Sequence, residues 1–426
     1  MTNQPTRKQP KNPPAVVPQV QSNIITQVRE YQLITPLFGG GVNRGEADVV
    51  TTVRATEIRG HLRFWWRACC GGQFNSLEEM KKAEDAIWGK AHEKDEKGVQ
   101  QEQTVQIVVE QLEEGKAIKP FRIERGRAKA INGIPGYAAF PLQPDREASR
   151  EPNPFIHDVR ENVSFRLTIS FPKDRTSDVK ASLWAWETFG GVGGRTRRGF
   201  GAVHLLSIDG VNNVDTPIAN KAKTWIEEKF LTHVINETVS EGVPQIRKTS
   251  PLYVSYSFSN PAAAWEKLIR TLSDFRQFGR PSRTVWPEAD AIRTLTKSKN
   301  QRSDDKPYIN KFPKAPLGLP IVYHFIGDEP KEQTLQGATA GSERLASPLI
   351  LRPLLCKNNQ AVGIALLLDG PRIPPGGVVL AEKNTPDKPV QVQVTLTPEE
   401  AQRIPVLRGE TDILQAFMKY LERNIR

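Results

Sequence analysis

Apolar and polar positions alternate with two different periods along this chain. Val28, Tyr31 and Leu33 lead an extended run that stops at Thr35–Pro36, and alternation returns at 105–112 (VQIVVEQL) and 163–171 (VSFRLTISF). Three strands are predicted there. Helical spacing governs 56–70, TEIRGHLRFWWRACC, where Ile58, Leu62, Trp65, Trp66 and Cys69 share one apolar sector. Thr56 is its predicted N-cap, and Gly71–Gly72 its stop. Ser76 and Glu79 form a capping box for a second helix ending near Gly89. A third helix is predicted over 178–189, and a strand from 200 to about 208 containing Phe200, Ala202, Val203 and Leu205. The order β-α-β-β-α-β is that of a ferredoxin-like or RRM-like unit, with the helical pair at 56–89 as its first α.

The segment Glu113–Asn162 interrupts this unit between its two middle strands. It is rich in Pro and Gly, and Lys116, Lys119, Arg122, Arg125, Arg127 and Lys129 make its first part basic. An insertion this long inside a compact unit is either functional or disordered. From residue 211 the pattern restarts. Helices are predicted at 220–235, 261–278, 287–297 and 410–424, and strands at 251–258, 319–326, 348–355, 361–369 and 390–397. The expected class is therefore α+β: a domain at 24–210 with a long basic insertion, and a diverged ferredoxin-like copy at 211–426. Polar breaks at 297–311 and around Thr334–Gly341 read as exposed loops. Residues 1–23 hold five prolines with Arg7, Lys8 and Lys11 and no acid, which reads as a disordered basic tail without the apolar core of a signal peptide.

Charge narrows the partner. Lys and Arg outnumber Asp and Glu by 59 to 48 over 426 residues, a surplus that suits basic stripes facing a polyanion. Cys69, Cys70 and Cys356 form no CxxC pair, and neighbours on a helix point ~100° apart, so buried thiols in a reducing cytoplasm are expected. The longest apolar stretch, around Ala365–Leu368, is far too short for a membrane span. The six histidines are scattered without an HxH or HExxH pattern, so neither metal nor cofactor is expected.

The chemistry concentrates at 190–203, GGVGGRTRRGFGAV. Glycines at this density let backbone N–H groups approach a phosphate, while Arg195, Arg197 and Arg198 supply forks for its oxygens. A Walker loop would end in Gly-Lys-Ser/Thr, and a dinucleotide fingerprint would run strand–loop–helix; neither holds here. The helix at 56–70 adds a second basic feature. Arg59, Arg63 and Arg67 recur every four residues beside the apolar sector, and Glu57 is the only acid close in sequence. An outward, anion-binding stripe is expected, with Trp65 and Trp66 in the core.

These two segments, TEIRGHLRFWWRA and GGVGGRTRRGFG, resemble the RAMP superfamily of CRISPR effector proteins, and more narrowly the first-subunit family of the type III-B Cmr complex. Trp286–Arg293 (WPEADAIR), Phe312–Phe325 (FPKAPLGLPIVYHF) and Arg344–Pro353 (RLASPLILRP) carry the likeness to residue 353. The proline tail and the 113–162 insertion lie outside it. The resemblance implies two ferredoxin-like domains in a cytoplasmic, non-cleaving RNA-binding subunit of an antiviral ribonucleoprotein. Such a subunit contacts guide RNA near its 3′ portion and the paired target RNA, beside other Cmr and RAMP subunits. The implied RNA-contacting set is Arg54, Arg59, Gly60, His61, Arg63 and Arg67 with Gly193, Gly194, Arg195, Thr196, Arg197, Arg198 and Gly199. The alternative is an endoribonuclease. His61 beside the groove would serve metal-free guide processing, or Asp48 (with Glu46 nearby) would help hold a divalent ion on the scissile phosphate.

Overall fold

A computed structural model describes residues 23–41, 51–90, 105–144, 147–151, 154–235, 242–279, 285–298, 309–325, 327, 329–382 and 385–425. Residues 1–22 of the predicted tail, Glu46 and Asp48, and most of the loop predicted at 297–311 lie outside these residues. The first part runs β1 (Ile24–Leu33), α1 (Ala55–Cys70), α2 (Leu77–Trp88), β2 (Gln106–Ile118), the hairpin β3 (Phe121–Glu124) and β4 (Arg127–Ala130), α3 (Gly136–Ala139), β5 (Val159–Pro172), α4 (Thr176–Phe189) and β6 (Val203–Ile208). Its four-stranded sheet has the order β2-β5-β1-β6, and every neighbouring pair is antiparallel. Tyr31 of β1 and Phe165 of β5 stack at 5.2 Å under Trp186 of α4, while Trp65 and Trp66 of α1 close the same core. The apolar sector of α1 is buried as its spacing predicts. Its N-cap is Arg54, not Thr56, and no side chain caps it; Thr56 falls inside the first turn. Ser76 does cap α2, accepting from the Glu79 N–H at 3.1 Å.

The insertion is shorter and more ordered than its composition suggests. β2 runs on to Ile118 and β5 starts at Val159, so the central pairing takes up both ends of it. What remains holds the β3–β4 hairpin and the single turn of α3. Phe121, Ile134, Ala138, Ala139, Leu142 and Ile156 anchor it in a second apolar cluster that also contains Trp265 and Leu268 from the C-terminal half.

That half continues α5 (Ala222–His233), β7 (Leu252–Phe258), α6 (Pro261–Arg276), α7 (Glu288–Leu295), β8 (Ile321–Tyr323), β9 (Gln333–Gly337), β10 (Leu349–Leu355), β11 (Ala361–Leu367), β12 (Val378–Glu382), β13 (Thr385–Val392), α8 (Pro398–Gln402) and α9 (Ile413–Asn424). It forms two antiparallel sheets, β10-β11-β7 and β13-β12-β9-β8. Three expectations are corrected here. The strand predicted at 319–326 keeps only three residues in β8, and the one predicted at 390–397 lies earlier, as β13. Part of the loop predicted at Thr334–Gly341 is β9, whose alternate residues Gln333, Leu335 and Gly337 are buried between β8 and β12. QTLQG is too polar to read as a strand alone; pairing on both sides makes it one.

Strands β10 and β11 are buried on both faces, which explains their near-continuous apolar runs LILRPLL and AVGIALL. Ile350, Val362, Ile364 and Leu366 enter the core built by the first part, while Leu349, Leu351, Ala365 and Leu367 enter the second cluster. One sheet therefore serves both cores. The three cysteines are buried and free, and burial raises all three thiols, Cys356 to about 12. No described helix is long and apolar enough to cross a membrane.

Candidate nucleic-acid interface

The glycine run leaves α4, makes one 3-10 turn at Thr196–Arg198 and returns into β6. Its glycines fit the loop against the protein. The Gly194 N–H donates to the Phe38 carbonyl at 2.6 Å, that of Gly201 to Pro36 at 2.8 Å, and that of Gly199 to Thr196 at 3.0 Å. The Gly193 N–H donates to Glu57 Oε1 at 2.5 Å, tying the loop to the first turn of α1. A Cβ on Gly194 would stand 2.9 Å from the Phe38 ring, and one on Gly199 2.5 Å from Trp265 Nε1. The expectation that these glycine N–H groups face a phosphate is therefore corrected: Gly193, Gly194 and Gly199 already donate to acceptors within the chain.

The three loop arginines divide. Arg197 donates through Nη1 to the carbonyls of Ala346 and Ser347, at 3.1 and 2.6 Å. Arg198 reaches the carbonyls of Leu349 and Leu317, at 2.7 and 3.0 Å. Both clamp the loop to the C-terminal half, so part of each fork is already engaged within the chain. Arg195 makes no such bond; its guanidinium lies over the Phe140 ring, 5.2 Å from the centroid, and its Nε is buried without a hydrogen-bond partner. Arg276, at the end of α6, lies over Tyr137 of α3 at 6.0 Å. Among the described residues, no carboxylate forms an ion pair with Arg195, Arg197, Arg198 or Arg276. Burial lowers all three loop guanidiniums, and with Arg276 and Arg195 close by, Arg198 falls to about 9. Arginine stays protonated at neutral pH, so these cations gather without a counter-ion among the described residues. Sequence reading missed Arg276, Tyr137 and Phe140. Nothing local marks them, because α6 and the insertion reach the loop only through tertiary packing.

The stripe on α1 behaves differently from expectation. Arg63 donates from Nε to Glu84 and from Nη2 to Asp85, both at 2.8 Å, and from Nη1 to the Gly89 carbonyl at 2.6 Å. Arg67 shares Glu84, and Arg59 donates to the Trp88 carbonyl at 2.9 Å. The expectation that Glu57 is the only acid available is corrected: α2 supplies Glu84 and Asp85. The stripe staples α1 to α2. Arg63→Ala should therefore destabilise the protein by ~2–4 kcal/mol, because Glu84, only 5 % exposed, loses one of its two guanidinium partners and Asp85 loses its own. Urea unfolding with and without Glu84→Gln checks this, the double variant recovering part of the loss; an unchanged midpoint for Arg63→Ala refutes it. Arg54 donates to the Gly40 carbonyl, and Gly60 faces open space on the exposed side of α1.

His61 Nε2 lies 3.5 Å from Glu57 Oε1, beside the loop rather than next to a second histidine. Among the described residues no three of His, Cys, Asp and Glu are grouped to hold a metal ion.

Residues 30–204 match the family model of the RAMP superfamily. Two relatives are CRISPR system Cmr subunits of Pyrococcus furiosus. Cmr1-1 is 24% identical over 241 residues, 54% of this chain and 65% of the relative; Cmr1-2 is 25% identical over 184 residues, 41% of this chain and 92% of the relative. The match thus covers slightly less than two thirds of Cmr1-1. Among solved structures, the apo crystal structure of Cmr1 from Pyrococcus furiosus aligns with a TM-score of 0.48 at 15% identity, over 82% of this chain and 88% of that one. A cryo-EM structure of the type III-B Cmr-beta complex bound to cognate target RNA and AMPPnP, in the presence of ssDNA, contains a chain aligning at 0.49 and 13% identity, over 95% and 100%. Over residues 30–204 the chain is similar to the RAMP superfamily, and it resembles the Cmr1 subunits of CRISPR Cmr systems.

Proposed function

We propose that this chain is an RNA-binding, non-cleaving structural subunit of a cytoplasmic type III-B CRISPR ribonucleoprotein, in antiviral defence. It would contact guide RNA near its 3′ portion and the paired target, with other Cmr and RAMP subunits as neighbours. We read 24–210 as a ferredoxin-like domain, from its sheet order, and 211–426 as a diverged copy whose β10-β11-β7 sheet follows the same plan without a fourth strand among the described residues. The observation that carries the functional reading is the cluster of Arg195, Arg197, Arg198 and Arg276 with no paired carboxylate among the described residues. Like charges gathered in partly buried surroundings repel unless an anion joins them, and a phosphodiester chain supplies anions at regular spacing. Arg195 is the residue best placed to take one, since its guanidinium makes no hydrogen bond within the described residues. Arg54, Arg59, Gly60, His61, Arg67 and Thr196 belong to the proposed interface only as its surroundings.

The test is fluorescence anisotropy of labelled single-stranded RNA over a salt series. Wild-type protein should bind with little sequence preference, and Arg195→Ala should reduce the slope of log K against log salt by about 0.7, one phosphate contact. Its melting temperature should stay unchanged. Salt-independent binding, or an Arg195→Ala slope equal to wild type, refutes the reading. The same RNA incubated with Mg²⁺ or with EDTA should remain intact. Cutting lost in Asp48→Ala or in His61→Ala would establish the nuclease alternative.

A further inference from the structure

The insertion is the segment that the proposed function leaves without a role. Four of its residues, Ile134, Ala138, Ala139 and Leu142, anchor it in the second core, yet Phe140 between them is 57 % exposed. Single exposed apolar side chains are ordinary on a protein surface; Phe140 differs from the others in what stands against it. One face of that ring carries the Arg195 guanidinium at 5.2 Å. The same short turn brings Tyr137 to Arg276, so the insertion lines the arginine cluster with two rings. An exposed ring next to unpaired cations is the combination that single-stranded nucleic acid uses, the base on the ring and its phosphate on the cation.

We infer that Phe140 is a base-stacking platform: an unpaired RNA nucleotide lays its base on the open face of the ring while Arg195 and Arg276 hold the flanking phosphate. This rests on the proposed RNA-binding function and assigns the insertion to it. A stacked base needs no hydrogen-bond readout, so any of the four bases would serve.

The experiment compares wild type, Phe140→Leu and Phe140→Tyr in the full chain. The probes are single-stranded RNA containing 2-aminopurine and inorganic polyphosphate, which has the charge but no bases. Phe140→Leu should weaken RNA binding by about 5- to 100-fold and abolish the 2-aminopurine quenching, with the salt slope unchanged. Phe140→Tyr should restore both, and polyphosphate should bind all three equally. Equal melting temperatures are expected, because the ring is exposed. Unchanged RNA affinity in Phe140→Leu overturns the inference while leaving the RNA-binding reading intact. Parallel loss of RNA and polyphosphate also overturns it, since the ring would then only support Arg195. A wild-type protein that binds polyphosphate but shows no base quenching overturns it as well. If wild type binds no RNA at all, the functional reading itself fails, and this inference fails with it.

Discussion

Arg352→Met should destabilise the protein by ~3–5 kcal/mol, although methionine nearly matches arginine in volume. Arg352 sits in β10 with no solvent exposure. Its Nη1 donates to the carbonyls of Glu187 and Gly190 at 3.0 and 2.6 Å, its Nη2 to Val203 at 2.8 Å and its Nε to Pro353 at 3.0 Å. One side chain from the C-terminal half thereby holds both ends of the glycine loop. Burying a guanidinium is expensive, and burial lowers this one to about 9. Exchanging a whole buried ion pair for apolar groups can be neutral for that reason. Here the partners are backbone carbonyls that no substitution removes. Methionine would leave them facing an apolar side chain, at ~1–3 kcal/mol for each one left unmatched. Lysine would recover part of the loss, because a single ammonium cannot span Gly190 and Val203 as a planar fork does. Denaturant unfolding decides the matter. A methionine variant as stable as wild type would mean that the guanidinium's desolvation cancels its hydrogen bonds.

Gly201→Ala should cost about as much, roughly 2–5 kcal/mol, for a steric reason. Gly201 has φ +58°, and a Cβ at that position would overlap the Val192 carbonyl oxygen. The left-handed conformation alone costs an alanine ~1–2 kcal/mol, and relieving the overlap adds ~1–3 kcal/mol. Moving the chain would also break the Val192 N–H bond to the Gly201 carbonyl, 2.9 Å long, which closes the loop at its neck. RNA binding should fall with stability, because Arg195 is carried on the same loop. Gly60→Ala is the matched control. Gly60 lies inside α1, and a methyl group there would meet nothing within 4 Å, so alanine should stabilise by ~0.5–1 kcal/mol. Thermal melts of the two variants should move in opposite directions; a Gly201→Ala melt at the wild-type temperature contradicts the loop geometry.

Local pattern carried far in this chain wherever one element explains itself. The apolar sector of α1, the α2 cap at Ser76, and the strands at 252–258, 349–355 and 361–367 depend on periodicity and on neighbours a few residues away. β9 and β12 depend on each other, and polar β9 exists because strands pair on both sides of it. Within the candidate site the same division applies. The residues of the glycine-arginine loop were visible as a motif. Their partners were not, since Arg197 and Arg198 bond to carbonyls at positions 317 to 349, and Arg63 to acids on the following helix.

The α+β class, the position of the basic loop, the apolar face of the tryptophan helix and the likeness to the RAMP superfamily are legible along the chain. All of these are properties of short windows, where residue type and spacing set conformation directly. Which cations are already engaged is set by how the distant segments pack. Three arginines that read alike along the chain separate into two clamps and one guanidinium without a hydrogen bond, because carbonyls of the C-terminal half lie within reach of Arg197 and Arg198 and not of Arg195. The same packing brings Arg276 and Phe140 to that guanidinium, from α6 and from the turn after α3. A guanidinium keeps donors for a ligand where folding leaves them without an internal acceptor, and that depends on distances between segments far apart in the chain.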